Sequence, residues 1–340
     1  MKAIRIHEPG DASRLSYESV PDPIAGPGQV LVEVVAASLN HLDIWLRGGL
    51  PGISFPLIPG ADGAGRVVAV GPGVSSEHLE AEVLISPGWS CGRCAACLSG
   101  NDHYCPEYHI LGENRNGTHA QRVVVPVENL IPKPKHLSFE EGAAIPLVFL
   151  TAWNMLVERA KVRPGEDVLI LGAGSGVGSA GVQIARLFGA RVIATVGREE
   201  KIPKAKALGA DVVLDHTKID VVAEVKRLTA KKGVEIVFEH PGAATWETSC
   251  RVLAHHGRLV TCGATTGFDV RIDLRHLFFR QLSFLGSTMG SKGSLLAMMP
   301  LFEDGRLRPV VDRVFPLEEA RAAHAHVETR KVFGKVILKP

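Results

Sequence analysis

The sequence predicts an α/β protein in two parts: an irregular β-rich part, then a doubly wound parallel sheet of six strands. Three observations predict this. The 340 residues are too many for one ordinary core and suit two domains. Up to about residue 147, short Val- and Ile-rich runs such as "KAIRIH", "QVLVEVVAA", "GRVVAV", "AEVLIS" and "AQRVVVPV" stand between Gly and Pro residues. Beyond that point, continuous apolar runs alternate with helical patterns, as strands buried on both faces require.

The alternation is explicit. "DVLILG" precedes the helical "VGSAGVQIARLFG", and "RVIATV" precedes "KIPKAKALG". "DVVLD" precedes "VVAEVKRLTA", "VEIVFEH" precedes "TWETSCRVLA", and "GRLVTCGA" and "QLSFLG" complete the six strands between Asp167 and Gly286. The tail resumes with helical "LLAMMPLFEDG" and "LEEARAAHAHV" and closes on the strand "GKVIL". No repeat of solenoid length interrupts this order.

Composition narrows the partners. With 46% apolar and 22% charged residues the chain is far from the disordered class. Lys and Arg number 38 against 36 Asp and Glu, a net charge of +2, which gives no electrostatic reason to bind nucleic acid. The start, "MKAIRIHEPG", lacks the apolar run of a signal peptide. The most apolar stretch, "AAIPLVFLTAWNMLV", is too short to span a bilayer and holds Pro146 and Asn154. A cytoplasmic protein with a small-molecule substrate and no membrane partner is the expectation.

Four of the six cysteines, Cys91, Cys94, Cys97 and Cys105, fall in "CGRCAACLSGNDHYC". Without an export signal, such clustering points to a metal rather than to disulfides. Cys250 and Cys262 stand alone and read as small buried hydrophobes.

The segment "DVLILGAGSGVGSAGVQIA" places Gly172, Gly174, Gly176 and Gly178, with Ser175 and Val177 among them, between the first parallel strand and its helix. Bare backbone at a helix N-terminus lets a pyrophosphate approach, so this loop predicts a dinucleotide site. The literal GxGxxG frame runs late, from Gly176 to Gly181, so placement carries the reading. After the second strand, "IATVGREEK" has Val196 and Gly197 where an acid would bind the ribose of NAD, followed by Arg198 and Lys201. Bases without that acid suit a 2′-phosphate, which favours NADP(H) over NAD(H). His240 ends the fourth parallel strand, at the edge where cofactors lie, and is a further cofactor-side candidate. The pairs His255/His256 and His324/His326 read as surface or helix positions.

With these pieces in place, the chain resembles the medium-chain dehydrogenase/reductase superfamily over essentially its whole length. The matching segments run in family order: "GPGQVLVEVVAASLNHLDIWLRGG", "PLIPGADGAGRVVAVGPGV", the cysteine lobe, "GTHAQRVVVP", the glycine loop, "GRLVTCGATTG" and "FGKVIL". The resemblance implies a GroES-like catalytic domain at 1–148, with a structural zinc lobe at 88–107. It also implies a Rossmann domain at 149–285, a return to the catalytic domain at 286–340, an active site in the cleft between the domains, and a homodimer or homotetramer. It adds Gly263, in the segment after the fifth strand, to the cofactor side. The cysteine spacing is that of the family's structural zinc loop, so Cys91, Cys94, Cys97 and Cys105 are expected to hold one zinc ion that is closed to substrate.

The resemblance also defines a departure. Zinc alcohol dehydrogenases hold a catalytic zinc through a Cys, the His and Glu of a "GHE" motif, and a late Cys or acid. Here "SLNHLD" puts Asn40 at the Cys position, "PGADGAG" puts Ala61 and Asp62 at the His and Glu, and Leu147 stands at the late position. The quinone-reductase-like branch lacks these ligands and passes hydride directly to a quinone, enone or carbonyl. In that reading hydrogen-bond donors stabilise the oxygen that gains charge. Asn40 is the first candidate, or else it ends its strand as a cap. His41 is a donor or proton relay, or else a satisfied buried histidine. Asp43 orients its neighbours or is structural, and Asp62 bonds a ribose or substrate group or holds a turn. Trp45 lines the pocket or the core. The runner-up is an alcohol dehydrogenase with an unorthodox catalytic zinc held by His41, Asp62 and a further residue. The third reading is a non-catalytic nicotinamide-binding protein.

Overall fold

The computed structural model describes residues Met1–Pro340 and divides into two compact units, Met1–Leu150 with Gly290–Pro340, and Thr151–Met289. No helix is long and apolar enough to cross a membrane.

The second unit holds the parallel sheet. Its strands lie in the order Val212–Asp215, Arg191–Val196, Asp167–Ile170, Val234–Glu239, Leu253–Thr261 and Ser283–Gly286, and every pairing is parallel. The order reverses direction at Asp167–Ile170, so the loop after that strand sits at the switch point where α/β sheets bind ligands. Leu169, Ile193, Leu214, Val237 and Leu259 form one core with Val225 and Val252 of the flanking helices. Burial on both faces explains the unbroken apolar runs in the sequence. Burial also pushes the Cys250 thiol up to about 11 and the Cys262 thiol up to about 12, so both stay unreactive at neutral pH.

The first unit holds a seven-stranded mixed sheet whose centre positions the candidate chemistry. Strand Gln29–Ser38 pairs antiparallel with Asp62–Val70 on one side and with Lys335–Lys339 on the other. Ser38 lies opposite both Asp62 and Ile337. The chain continues past Ser38 with Leu39 N–H bonded to Val336 O at 2.9 Å, so the next step of the same register sets Asn40 beside Lys335. Three strand ends therefore meet at one point.

Asn40 then caps the helix His41–Gly48, which ends at Gly49 in a left-handed conformation. Asp43, fully buried, accepts the backbone N–H of Asn40 at 2.7 Å and of Gly60 at 3.0 Å, tying the start of this helix to the turn before Asp62.

His255 and His256 are exposed on their strand, as expected, whereas His324 on the helix Ala320–Glu328 is fully buried. Its Nδ1 receives Arg47 Nη1 at 3.2 Å, and Arg47 also holds Glu328 at 2.5 Å. The ring of His119, also fully buried, stands edge-on to His324 at 6.4 Å. Burial lowers both pKa values from the ordinary histidine range; Asp43 opposes this at His119, and the Arg47 charge reinforces it at His324.

Both rings are thus neutral in the folded chain, while the unfolded chain takes up protons below about pH 6.5. Stability is therefore full above that pH and falls as pH drops toward the folded pKa values, each ring adding at most about 1.4 kcal/mol per pH unit to the slope. Urea unfolding between pH 7 and 5 should show this loss, and His324→Asn should reduce the slope by about one proton; an unchanged slope would reject the assignment.

Candidate functional site

The first unit brings Asn40, Asp43 and Asp62 together and adds a residue that the sequence reading missed, Lys335. The Asp62 carboxylate, fully buried, accepts Leu147 N–H on Oδ1 at 2.8 Å. Its Oδ2 accepts Asn40 Nδ2 at 2.9 Å and the Lys335 ammonium at 3.2 Å. Lys335, itself 4% exposed, also donates to Asn40 Oδ1. An ammonium can only donate, so this contact fixes which way the Asn40 amide faces: oxygen to Lys335, nitrogen to Asp62. One N–H of Asn40 remains for another acceptor. Burial pushes the Asp62 carboxyl up and the Lys335 ammonium down from their ordinary values, and their mutual attraction opposes both shifts. The Asn40 and Leu147 donors further hold Asp62 toward its charged form.

His41 lies outside this network. It is exposed on the helix that Asn40 starts, with its ring edge-on to Trp45 at 5.1 Å.

A catalytic zinc does not fit this donor set. Both Asp62 oxygens and the Asn40 oxygen already face N–H donors, and one of those donors carries a positive charge. Ala61 offers no side-chain ligand, and Leu147 points a backbone N–H rather than a thiolate or carboxylate at Asp62. A dication there would have to displace Lys335.

The cysteine lobe does fit a metal. The four sulfurs lie within 4.8 Å of one another, with Cys94–Cys97 at 3.5 Å and Cys91–Cys97 at 4.0 Å. Tetrahedral zinc with bonds of about 2.3 Å requires sulfur separations of roughly 3.8 Å. Backbone N–H groups of Cys91 and Glu107 point at Cys105 Sγ, as suits a thiolate. The lobe also holds other parts of its unit, because Asp102 Oδ1 accepts the N–H of Lys292, first residue of the helix Lys292–Glu303. Lys292 Nζ in turn reaches Asn129 Oδ1 at 3.1 Å.

In the second unit, the glycine loop sits between Asp167–Ile170 and the helix Gly176–Leu187. Gly172 has φ +57°, and its N–H donates to Thr195 Oγ1 at 3.0 Å. A Cβ at Gly178 would stand 2.3 Å from Gly172 O, so neither position admits a side chain without displacing the loop. Gly174 is buried in the turn, and Ser175 caps the helix through Gly178 N–H at 2.9 Å; Gly176 and Val177 form its first turn. His240 reaches this loop: its Nε2 lies 2.8 Å from Leu171 O and 3.3 Å from Ser175 Oγ. Gly263 follows the strand Leu253–Thr261, and its carbonyl accepts Thr261 Oγ1 at 3.1 Å. At the end of the second strand, Arg198 is exposed, Lys201 is buried, and the His216 ring stands against bare Gly197.

Comparison with known proteins agrees with these features. Residues 26–135 match the alcohol dehydrogenase GroES-like domain, and residues 176–304 match the zinc-binding dehydrogenase domain. The NAD-dependent alcohol dehydrogenase of Saccharolobus solfataricus is 32% identical over the full length of both chains. The crotonyl-CoA carboxylase/reductase of Cereibacter sphaeroides is 31% identical, over 95% of this chain and 83% of its own. A crystal structure of an NAD-dependent alcohol dehydrogenase is 51% identical, superposes with a TM-score of 0.96, and covers both chains completely. The fold and sites define a two-domain nicotinamide-dependent oxidoreductase. The chain belongs to the medium-chain dehydrogenase/reductase superfamily.

The buried pair gives a direct prediction. Lys335→Met leaves Asp62 without its cation and should lower unfolding stability by about 3–5 kcal/mol. Adding Asp62→Asn should recover part of that loss. Denaturant titration of the two variants decides, and equal stability of Lys335→Met and the parent chain would show that the pair is not formed.

Proposed function

We propose that this oxidoreductase is an NADP(H)-linked reductase that reduces a quinone, enone or carbonyl by direct hydride transfer, without a catalytic zinc. The observation that carries the reading is the occupation of Asp62 by Lys335 and Asn40 where a metal would need open ligands. The reduced nicotinamide supplies hydride when bound. The glycine loop holds its pyrophosphate at a helix N-terminus, and Arg198, beside a Gly197 without an acid, meets the 2′-phosphate. Asn40 directs its remaining N–H at the substrate oxygen, Asp62 and Lys335 hold that amide in place, and Asp43 holds the Asn40 backbone N–H. The exposed His41 that follows supplies the proton in this reading.

The alcohol dehydrogenase reading has support in the names of two relatives. It requires a zinc that includes exposed His41 and buried Asp62 among its ligands, and displacement of a buried ammonium.

The test is turnover of the zinc-loaded protein in a chelator that leaves the four-thiolate site intact. NADPH oxidation with quinones, enones and aldehydes is expected to be chelator-insensitive and faster than with NADH. Asn40→Ala is expected to lower kcat by about 10²-fold or more, the usual loss of one oxyanion donor. Chelator-sensitive alcohol oxidation with NAD as the sole activity would overturn the reading.

We also propose a cytoplasmic homodimer or homotetramer. Phe268 and Phe279 are 84% and 72% exposed, with Leu274 and Phe278 also bare, and nearby Ser283–Gly286 is a sheet-edge strand paired on one side. Such a patch beside an open edge suits a second copy. Sedimentation equilibrium should give a mass of two or four chains; a monomer at micromolar concentration would reject it.

A further inference from the structure

We propose that His240 is a positioning residue for the cofactor pyrophosphate, acting through the hydroxyl of Ser175. The inference rests on the dinucleotide reading of the glycine loop and is independent of whether the chemistry uses a metal.

The geometry settles the direction of each bond. Leu171 O can only accept, so His240 Nε2, 2.8 Å away, carries a proton and donates to it. The same N–H faces Ser175 Oγ at 3.3 Å, and Gly178 N–H donates to that oxygen at 2.9 Å. Ser175 Oγ therefore receives the Gly178 N–H and, at longer range, a share of the Nε2–H that also bonds Leu171 O. Its own proton is left to point away from both donors. At the first turn of the helix Gly176–Leu187, a hydroxyl constrained to donate outward suits an anionic oxygen. Donation into its oxygen also makes that hydroxyl a stronger donor.

The imidazole is itself braced. The Cβ that Gly172 lacks would stand 3.2 Å from His240 Cε1, so the ring packs directly on the loop backbone. On the other side of the strand end, the preceding residue Glu239 is fully buried. It accepts Gly242 N–H and Thr245 Oγ1, each at 2.9 Å, together with Ser249 Oγ. Thr266 Oγ1 donates to Pro241 O at 2.7 Å, fastening the next turn. Consecutive residues thus act in opposite directions: Glu239 anchors the segment after the strand, and His240 extends from that anchor to the glycine loop.

The experiment measures binding of NADPH and NADH to the full protein by fluorescence, with His240→Leu, Ser175→Ala, their double variant and His240→Gln. Each of the first two should raise Kd about tenfold, as expected for a lost hydrogen bond to a charged group. The double variant should match the singles instead of multiplying to about a hundredfold, because both remove one shared contact. His240→Gln, whose amide nitrogen replaces Nε2, should recover most of the affinity. Competition by ADP-ribose, which carries the pyrophosphate, should weaken with the NADPH affinity, whereas competition by adenosine should not change.

Multiplicative losses, or equal weakening of adenosine and ADP-ribose, would mean a general structural role and overturn the proposal. Unchanged Kd values in the variants would overturn it as well. Failure of the parent chain to bind either nucleotide would instead refute the dinucleotide reading itself.

Discussion

The candidate chemistry of this protein depends on one buried contact, the ammonium of Lys335 against the carboxylate of Asp62, with both held by the Asn40 amide. Two charges removed from water stay ionised only if they pair closely and satisfy their remaining donors and acceptors. Here the sheet supplies that closeness. The register of three strands sets Asn40, Asp62 and Lys335 side by side, and the N–H of Leu147 takes the last carboxylate oxygen. Lys335 thus sets a fixed single charge against Asp62, and the Asn40 amide is left with one further N–H.

The cysteine lobe and the centre near Asp62 are assembled in different ways. The four thiolates of the lobe are close in sequence and close around one point, and the lobe is tied to the helix at Lys292 through Asp102. Metal binding there supplies folding energy to a segment with little apolar content. The residues near Asp62 are aligned instead by sheet register.

The sequence made the local features legible and left the long-range ones hidden. The six parallel strands were readable because burial on both faces leaves unbroken apolar runs, and the cysteine lobe because its four ligands lie within one short segment. The absence of the usual zinc ligands at Asn40, Ala61 and Leu147 was also visible. Lys335 was not, since it lies 273 residues from Asp62 and sits in "GKVIL", where a lysine at the start of a strand looks like an ordinary solvated charge. Only the pairing of the last strand with Gln29–Ser38, which extends to Asn40, brings this lysine to the carboxylate. Burial of His324 is hidden in the sequence for a similar reason, because its neighbours Arg47 and His119 are distant along the chain. The orientation of Asn40 could be read only once Lys335 was known to face its oxygen.

The most direct measurement is zinc per chain in the purified and extensively dialysed protein, by elemental analysis. The predicted result is about one zinc per chain, the content of a lone four-thiolate site, with none added when the protein is incubated in excess zinc and dialysed again. About two per chain, with the second lost on Asp62→Asn, would contradict it: Lys335 would then yield to a metal, and the centre would be a zinc site after all.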